Sequence, residues 1–166
     1  MLISVSELLK LENSEQQLSV EVDLREVSFS PLPIQFSEPV SVKGKMKNAG
    51  GIIMLEAAAC GKYLTCCDRC GKEIEKTIQF DISENFVKTS AGLEDDPEAI
   101  VLQAQEFNLA DVLEKTAFAA FPSKHLCDED CKGLCPECGV NLNEKSCTCK
   151  DDEWDPRFEV LRGLFD

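Results

Sequence analysis

The sequence predicts an α+β protein with an antiparallel β core, a packed helix and a cysteine-rich C-terminal segment. Three observations indicate this class. Apolar and polar residues alternate in several stretches of the first half, an amphipathic stretch follows at 108–122, and most of the ten cysteines lie between positions 127 and 149. We therefore expect a β core at 1–87, an acidic linker at 88–107, and a unit at 108–166 that contains the helix, the cysteine-rich segment and a C-terminal helix.

The β core is expected to begin with a short helix and to continue as strands. The run Ser4-Val5-Ser6-Glu7 fits a capping box and predicts a helix over about 5–11. Alternating or apolar stretches then predict an antiparallel unit of about five strands. These stretches are 18–24, 40–46, 52–60, 63–66 and 78–82, and Asn48-Ala49-Gly50-Gly51 is a turn signal between two of them.

Two helices are expected in the second half of the chain. Asn108 can cap the first helix, and Pro122 ends it. Its predicted apolar face is formed by Leu109, Val112, Leu113, Thr116, Ala117 and Ala120. Asp155-Pro156 is a helix start that predicts a short C-terminal helix, with an apolar stripe of Phe158, Leu161, Leu164 and Phe165.

Composition and charge limit the functional classes. The formal net charge of −14 argues against indiscriminate binding to nucleic acid, because an acidic protein repels phosphate backbones. The N-terminus lacks the features of a signal peptide, and the longest apolar stretch, 52–60, is too short to span a bilayer. We expect a cytoplasmic protein, in which cysteines stay reduced and metal binding is favoured over disulfides.

The cysteines show the spacing of a zinc protein. Two C-x2-C-G turns occur, Cys67 to Cys70 with Gly71 and Cys135 to Cys138 with Gly139. Each turn supplies two sulfurs, and zinc binds four in a tetrahedron. Cys147 and Cys149 are close enough to complete a local site with Cys135 and Cys138. Cys127 and Cys131 then complete a second site with the distant Cys67 and Cys70. The sequence thus predicts two zinc ions and a zinc-binding C-terminal segment.

Other ligand sets stay open at this stage. Cys131 can join the local site in place of Cys147 or Cys149, and His125, the only histidine, can replace Cys127. Cys66 can replace Cys67, but only Cys67 has the C-x2-C spacing. Cys60 lies in an apolar run, and we interpret it as a buried thiol.

An enzymatic role is not expected. A thioredoxin-like C-x2-C needs a helix N-terminus at its first cysteine, whereas Cys67 lies between strand signals. A site closed by four thiolates has no open position for water, and no phosphate loop or H-E-x-x-H motif is present. A redox-active dithiol protein therefore ranks below a binding protein.

The cysteine pattern and its flanks resemble the YceD family. The resemblance is carried by Cys67-Asp68-Arg69-Cys70, the run from Cys131 to Asn143, Cys147-Thr148-Cys149 and Asp155-Pro156-Arg157-Phe158. The family comprises bacterial and plastid proteins implicated in accumulation of large-subunit ribosomal RNA, commonly encoded beside a small ribosomal protein. The resemblance implies a non-enzymatic role in ribosome biogenesis, in processing or stability of 23S ribosomal RNA. Some members keep only the first knuckle, which implies two sites of unequal importance.

The resemblance also implies a partner in the large subunit, either precursor ribosomal RNA or a basic ribosomal protein. The candidate contacts are Lys43, Lys45 and Lys47 on one strand face and Lys62, Arg69 and Lys72 beside the first knuckle. A solvated strand face or a protected sheet edge is the favoured explanation of these basic residues. Arg69 can instead hydrogen-bond near the metal site or pair with a neighbouring acid. The alternative function is a zinc-ribbon-type adaptor in transcription or another complex.

Overall fold

The computed structural model describes residues 1–89 and 97–149. These residues form eight strands, one 3-10 turn and one α-helix. In chain order they are β1 (Leu2–Ser4), the 3-10 turn (Leu8–Lys10), β2 (Glu15–Val22), β3 (Gln35–Phe36), β4 (Val40–Ala49), β5 (Ile52–Cys66), β6 (Glu73–Val87), β7 (Ile100–Val101), β8 (Glu106–Asn108) and α1 (Leu109–Ala120). A mostly antiparallel sheet with one helix agrees with the predicted α+β class. None of the helical segments in these two ranges is long and apolar enough to cross a membrane.

The main sheet is organised around one long hairpin. Its strand order is β2-β4-β5-β6-β7, and β3 also pairs with β5. All neighbours are antiparallel except β7, which runs parallel to β6. β5 and β6 pair from Ile53 opposite Phe86 to Cys66 opposite Glu73. Residues 67–72 are therefore the tip of this hairpin, and the first C-x2-C turn lies there.

Alternation along the strands decides which face of the sheet is buried. On β5, Ile53, Leu55 and Tyr63 are buried, whereas Met54 and Lys62 point to the opposite, exposed side. The same period of two continues along β4 and β6. One face of the sheet thus carries the hydrophobic core.

Helix α1 confirms the prediction from the sequence. Asn108 is its N-cap and accepts a hydrogen bond from the Ala110 backbone N–H at 3.3 Å. The buried residues of the helix are Leu109, Val112, Leu113 and Ala117. Ala120, which was expected on this face, is exposed because the helix ends there.

The predicted N-terminal helix over about 5–11 is wrong. Residues 2–4 instead form β1, which pairs with β8, and only Leu8–Lys10 are helical, as a single 3-10 turn. The Ser4 hydroxyl lies 3.1 Å from that of Ser6, and Glu7 is paired with Lys10. Both halves of the supposed capping box are therefore engaged elsewhere.

Two further expectations about β5 change. The stretches 52–60 and 63–66 form one continuous strand. Cys60 is half-buried rather than buried, because its side chain lies on the same side as the exposed Met54 and Lys62. The alternation of buried and exposed side chains could not be read from the sequence here, because Ala57, Ala58 and Ala59 do not differ in polarity.

The expected linker at 88–107 contains structure in its described part. β7 and β8 lie there, and Leu102 and Phe107 are buried in the core. The division of the chain into three segments stays a prediction. The predicted C-terminal helix around 155–165 lies outside the described residues.

Candidate metal centres

The first cysteine group lies at the tip of the β5–β6 hairpin. Cys67 and Cys70 come from the tip, and Cys127 and Cys131 come from the segment after α1. The Cys67 and Cys131 sulfurs are 3.9 Å apart, and those of Cys70 and Cys127 are 3.7 Å apart. All four sulfurs lie within 4.8 Å of one another. Cys67, Cys70 and Cys131 are buried and Cys127 is half-buried, so this group is largely closed to solvent.

The hairpin tip is shaped by a tight turn. The Cys67 N–H donates to the Lys72 carbonyl at 2.8 Å, and the Gly71 N–H donates to the Cys67 carbonyl at 2.8 Å. Gly71 has a φ of +70°, which glycine adopts without steric cost. The turn thereby curls residues 68–70 around the sulfurs.

Asp68 attaches the segment after α1 to this turn. Its N–H donates to the His125 carbonyl at 2.8 Å, and its carboxylate accepts from the His125 N–H at 2.6 Å. The His125 ring packs edge-on against Tyr63, with centroids 5.7 Å apart, and Tyr63 contacts Phe121 at 5.1 Å. This aromatic row joins the core to the segment that delivers Cys127.

Arg69 holds the next part of the same segment. Its guanidinium donates to the carbonyl oxygens of Glu129 at 3.0 Å and Cys131 at 2.8 Å. Its own carbonyl accepts from the Leu134 N–H at 3.0 Å. Gly133 fits against it so closely that a Cβ there would lie 2.9 Å from the Arg69 oxygen. Arg69 therefore ties the hairpin tip to the chain between the two cysteine groups.

The second group is local in the sequence. It comprises Cys135, Cys138, Cys147 and Cys149, whose sulfurs also lie within 4.8 Å of one another. The Cys147 and Cys135 sulfurs are 3.5 Å apart. Cys138 and Cys149 are exposed, so this group is far more open to solvent than the first.

The turn of the second group has the same hydrogen-bond pattern as the first. The Cys135 N–H donates to the Val140 carbonyl at 2.9 Å, and the Gly139 N–H donates to the Cys135 carbonyl at 2.9 Å. Gly139 has a φ of +71°. Both C-x2-C-G sequences thus fold into the same knuckle, as their shared spacing predicts.

The sulfur geometry fits a tetrahedral metal ion. Metal–sulfur bonds of about 2.3 Å at tetrahedral angles place neighbouring sulfurs about 3.8 Å apart. The measured separations of 3.5, 3.7 and 3.9 Å lie close to this value. A disulfide needs about 2.05 Å, and all ten cysteines are free thiols. The donor set of four sulfurs suits a soft ion such as zinc.

Backbone hydrogen bonds favour ionisation in the first group. Burial opposes the thiolate of Cys67, but amides of Cys127, Arg69 and Cys70 lower its pKa to about 6. The pKa of Cys131 is also lowered, against burial, by the Asn143 side chain and the Gly133 amide. By contrast, the neighbouring Cys131 and burial raise the pKa of Cys127 to about 12. Four thiolates therefore need a cation among them.

The second group divides in the same way. Amides of Cys138 and Glu137 lower the pKa of Cys135 to about 7. The neighbouring Cys138 and burial raise the pKa of Cys149 to about 12. Here too, one sulfur is prepared as a thiolate and another requires a bound cation for its ionisation.

The structure brings the eight predicted cysteines together in the two sets expected from their spacing. His125 belongs to neither set, and its Nε2 has no partner among the described residues. Cys60 and Cys66 also lie outside both sets. Metal ligation by these residues stays a prediction.

The predicted basic contacts do not form one free patch. Lys45 is paired with Glu56 at 3.4 Å and Lys62 with Glu38 at 3.4 Å, whereas Lys43 and Lys47 have no ion pair among the described residues. The Arg69 guanidinium is occupied by two backbone carbonyls. Arg69 is exposed, but its guanidinium is used for contacts within the protein, which agrees with the alternative of a hydrogen bond near the metal site.

One contributor was missed in the sequence. The Asn143 side chain, in the loop of the second group, donates to the Cys131 sulfur of the first group at 3.3 Å. In the sequence, Asn143 follows the second C-x2-C turn, where asparagine is typical of turns and hairpins, so nothing there indicated a contact with a sulfur. The cross-group contact depends on how the two knuckles pack, which spacing alone does not reveal.

Comparison with known proteins identifies a family that matches this chain. A family model described as Large ribosomal RNA subunit accumulation protein YceD matches residues 55–165, which include both cysteine groups. A chloroplast protein of Arabidopsis thaliana, named Large ribosomal RNA subunit accumulation protein YCED homolog 1, is 44% identical over 39 residues. That alignment covers 24% of this chain and 12% of the relative, so it spans only a small part of the relative's length. No solved structure gives a significant match.

The family match begins within β5 and covers more than half of the chain, including the hairpin tip and the whole described segment after α1. It agrees with the resemblance found in the cysteine pattern. On this evidence the chain belongs to the YceD family of large ribosomal RNA subunit accumulation proteins.

Proposed function

We propose that this chain is a non-enzymatic, zinc-binding factor that supports accumulation of 23S ribosomal RNA for the large ribosomal subunit. The observation that carries the proposal is the presence of two four-cysteine groups inside the region matched by the family model. The role in RNA accumulation comes from the family description, and the zinc comes from the sulfur geometry.

The proposed zinc ions have a structural role. A bound ion neutralises part of the thiolate charge and fixes four sulfurs in one arrangement. A four-thiolate site has no open position for a water or substrate, which favours a structural role over hydrolysis. Cys67 lies in a turn between two strands rather than at a helix N-terminus, which favours metal binding over dithiol exchange.

The proposed role of the first group is to attach the segment after α1 to the hairpin tip. It fastens residues 127–131 to the hairpin tip, and Arg69 extends that attachment to Leu134. The second knuckle is then held by a fixed base instead of a free chain. A knuckle with two of its four cysteines exposed is suited to contact a partner.

Charge favours a basic partner over bare RNA. The chain has a formal charge of −14, and each zinc with four thiolates would carry a net charge of about −2. A basic ribosomal protein is attracted by this field, whereas phosphates are repelled. Precursor RNA would have to be contacted locally, for example through Lys43 and Lys47. The cytoplasm, or another reducing compartment, is the proposed location because both groups need free thiols.

Depletion in the native cells tests this function. Loss of the chain should lower the ratio of large-subunit to small-subunit ribosomal RNA, and the wild-type chain should restore it. A Cys67→Ser chain should fail to restore the ratio, whereas Cys66→Ser, which changes the adjacent thiol outside both groups, should succeed. An unchanged RNA ratio on depletion would contradict the proposal. Co-sedimentation with large-subunit precursors, but not with transcription complexes, separates it from the adaptor alternative.

A further inference from the structure

Asn143 joins the two cysteine groups through both ends of one amide side chain. Its Nδ2 donates to the Cys131 sulfur at 3.3 Å, and its Oδ1 accepts from the Lys132 N–H at 2.7 Å. Asn143 itself lies between Cys138 and Cys147, inside the loop that the second group closes. A residue of the local group's loop thus completes the surroundings of a sulfur in the other group.

The second group sets the position of Asn143. The Asn141 carboxamide oxygen accepts from the Asn143 N–H at 3.0 Å and from its Nδ2 at 2.8 Å. Asn141 also forms a β-bridge with Leu134, next to Cys135, and the Cys135 N–H donates to Val140 at 2.9 Å. Ordering the knuckle at Cys135 therefore orders Asn143.

Contacts also run in the opposite direction. The Leu142 N–H donates to the Gly133 carbonyl at 2.9 Å, and the Leu134 N–H donates to the Arg69 carbonyl at 3.0 Å. Ordering the first group thus fixes Gly133 and Leu134, against which the loop of the second group packs. Since coupling between two binding sites is reciprocal, each group must affect the other by the same factor.

From these contacts we propose that Asn143 is a positioning residue that couples the two metal centres, so that an ion in the local group strengthens binding of an ion in the buried group. This inference rests on the proposed metal binding and adds the order in which the two groups form. The local group, closed within 12 residues between Cys135 and Cys147, forms first. Its ordered loop then presents the Asn143 amide to Cys131 before the long-range group closes.

The size of the effect follows from the role of groups that hydrogen-bond to metal ligands. Loss of such a partner typically costs about 10- to 100-fold in metal affinity. We expect Asn143→Ala to weaken the first group by that factor. Disabling the local group with Cys138→Ser and Cys149→Ser, both exposed positions, should weaken the first group by a similar factor. When Asn143→Ala is combined with Cys138→Ser and Cys149→Ser, the metal affinity of the first group should fall no further than with either change alone.

The test uses the full chain and Cd²⁺, whose NMR resonances separate the two groups. Cys67→Ser and Cys147→Ser assign the resonances, and competition with a chelator gives each affinity. Lys145→Ala is the matched control, because that loop side chain is exposed and has no hydrogen bond or ion pair among the described residues, so both affinities should stay unchanged. Asn143→Asp keeps the acceptor for Lys132 but loses the donor to sulfur, so it should weaken the first group as Asn143→Ala does.

A spectroscopic readout separates positioning from general loop folding. With Co²⁺ in the first group, loss of the N–H to sulfur hydrogen bond should shift the sulfur-to-cobalt charge-transfer band to lower energy. An Asn143→Ala affinity within twofold of wild type, an additive double change or an unshifted band would overturn the coupling. Two independently bound ions would overturn the coupling alone, whereas failure to bind either Cd²⁺ or Co²⁺ would overturn the metal proposal as well.

Discussion

The two cysteine groups use the same knuckle in different surroundings. In both, the first cysteine donates its N–H five residues ahead and a glycine with positive φ follows the second cysteine. The first group joins residues 57 and 64 positions apart and is largely buried, whereas the second joins Cys135 to Cys147 over 12 positions and is half exposed. The difference indicates that one motif serves two purposes: the first group closes the tertiary fold and the second shapes a local loop.

Loop length explains why their energetic roles should differ. Closing a loop of 64 residues instead of 12 costs about 1.5 kcal/mol more in chain entropy, which the bound ion must offset. Once closed, the first group also fixes Arg69 and the aromatic contact between Tyr63 and His125. Its loss should therefore reach the core, while loss of the second should weaken metal binding at the first group but leave the core folded.

The largest expected effect is that of Cys67→Ser. It should lower the free energy of unfolding by more than about 4 kcal/mol, because loss of a metal is among the few causes of so large a change. Chemical denaturation in the presence of zinc measures this value. Cys66→Ser is the matched control and should stay within about 1 kcal/mol of wild type, since substitutions without a special role have small effects. Equal effects of the two substitutions would break the comparison between the groups.

Cys147→Ser should have a smaller and local effect. We expect hydrogen exchange to accelerate in residues 133–149, while β5, β6 and α1 remain protected because their contacts do not include this cysteine. Exchange measured by mass spectrometry locates the change. Loss of protection in the central strands would show that the second group also supports the whole fold.

Much of this arrangement was predictable from local patterns. The two C-x2-C-G turns, the helix between Asn108 and Pro122, and the alternating strands all depend on neighbours in sequence. The predicted N-terminal helix shrinks to the 3-10 turn at Leu8–Lys10 because Ser4 and Glu7 have competing partners. The contact of Asn143 was also missed, since its sulfur partner lies 12 positions away in the first group. The exact partners of Arg69 could not be predicted either, because the Cys131 carbonyl lies 62 positions away in sequence.

Two glycines provide a finer test of the first group. Gly133→Ala places a Cβ 2.9 Å from the Arg69 oxygen at a φ of +77°, whereas Gly71→Ala has a similar φ of +70° and no atom within 4 Å. A non-glycine residue in the left-handed region costs about 1–2 kcal/mol, so Gly71→Ala should lower the free energy of unfolding by only that amount. Gly133→Ala should lower it measurably more, as measured by denaturant unfolding. If the two losses are equal, the close packing on Arg69 contributes nothing.

Acid should release the two ions in sequence, and this is the smallest expected difference. Thiolates are protonated as the pH falls, and each group holds one thiol whose pKa is raised by a neighbouring cysteine and burial, Cys127 in the first and Cys149 in the second. Cys138 and Cys149 are exposed whereas the first group is largely buried, so protons should compete with metal at the second group first, and its release midpoint should lie at the higher pH. A pH titration of the Co²⁺ charge-transfer bands, assigned with Cys147→Ser, measures both midpoints. Release of the buried ion first would reverse the comparison.

The central claim is that two metal ions serve groups of unequal structural weight, and metal content tests it most directly. Protein purified under reducing conditions without added metal should contain close to two zinc ions per chain by elemental mass spectrometry. Cys147→Ser should retain about one ion and a cooperative unfolding transition, whereas Cys67→Ser should lose at least one ion together with that transition. Wild-type protein that contains almost no metal while its thiols are free, or a Cys67→Ser variant that keeps both ions, would contradict the account.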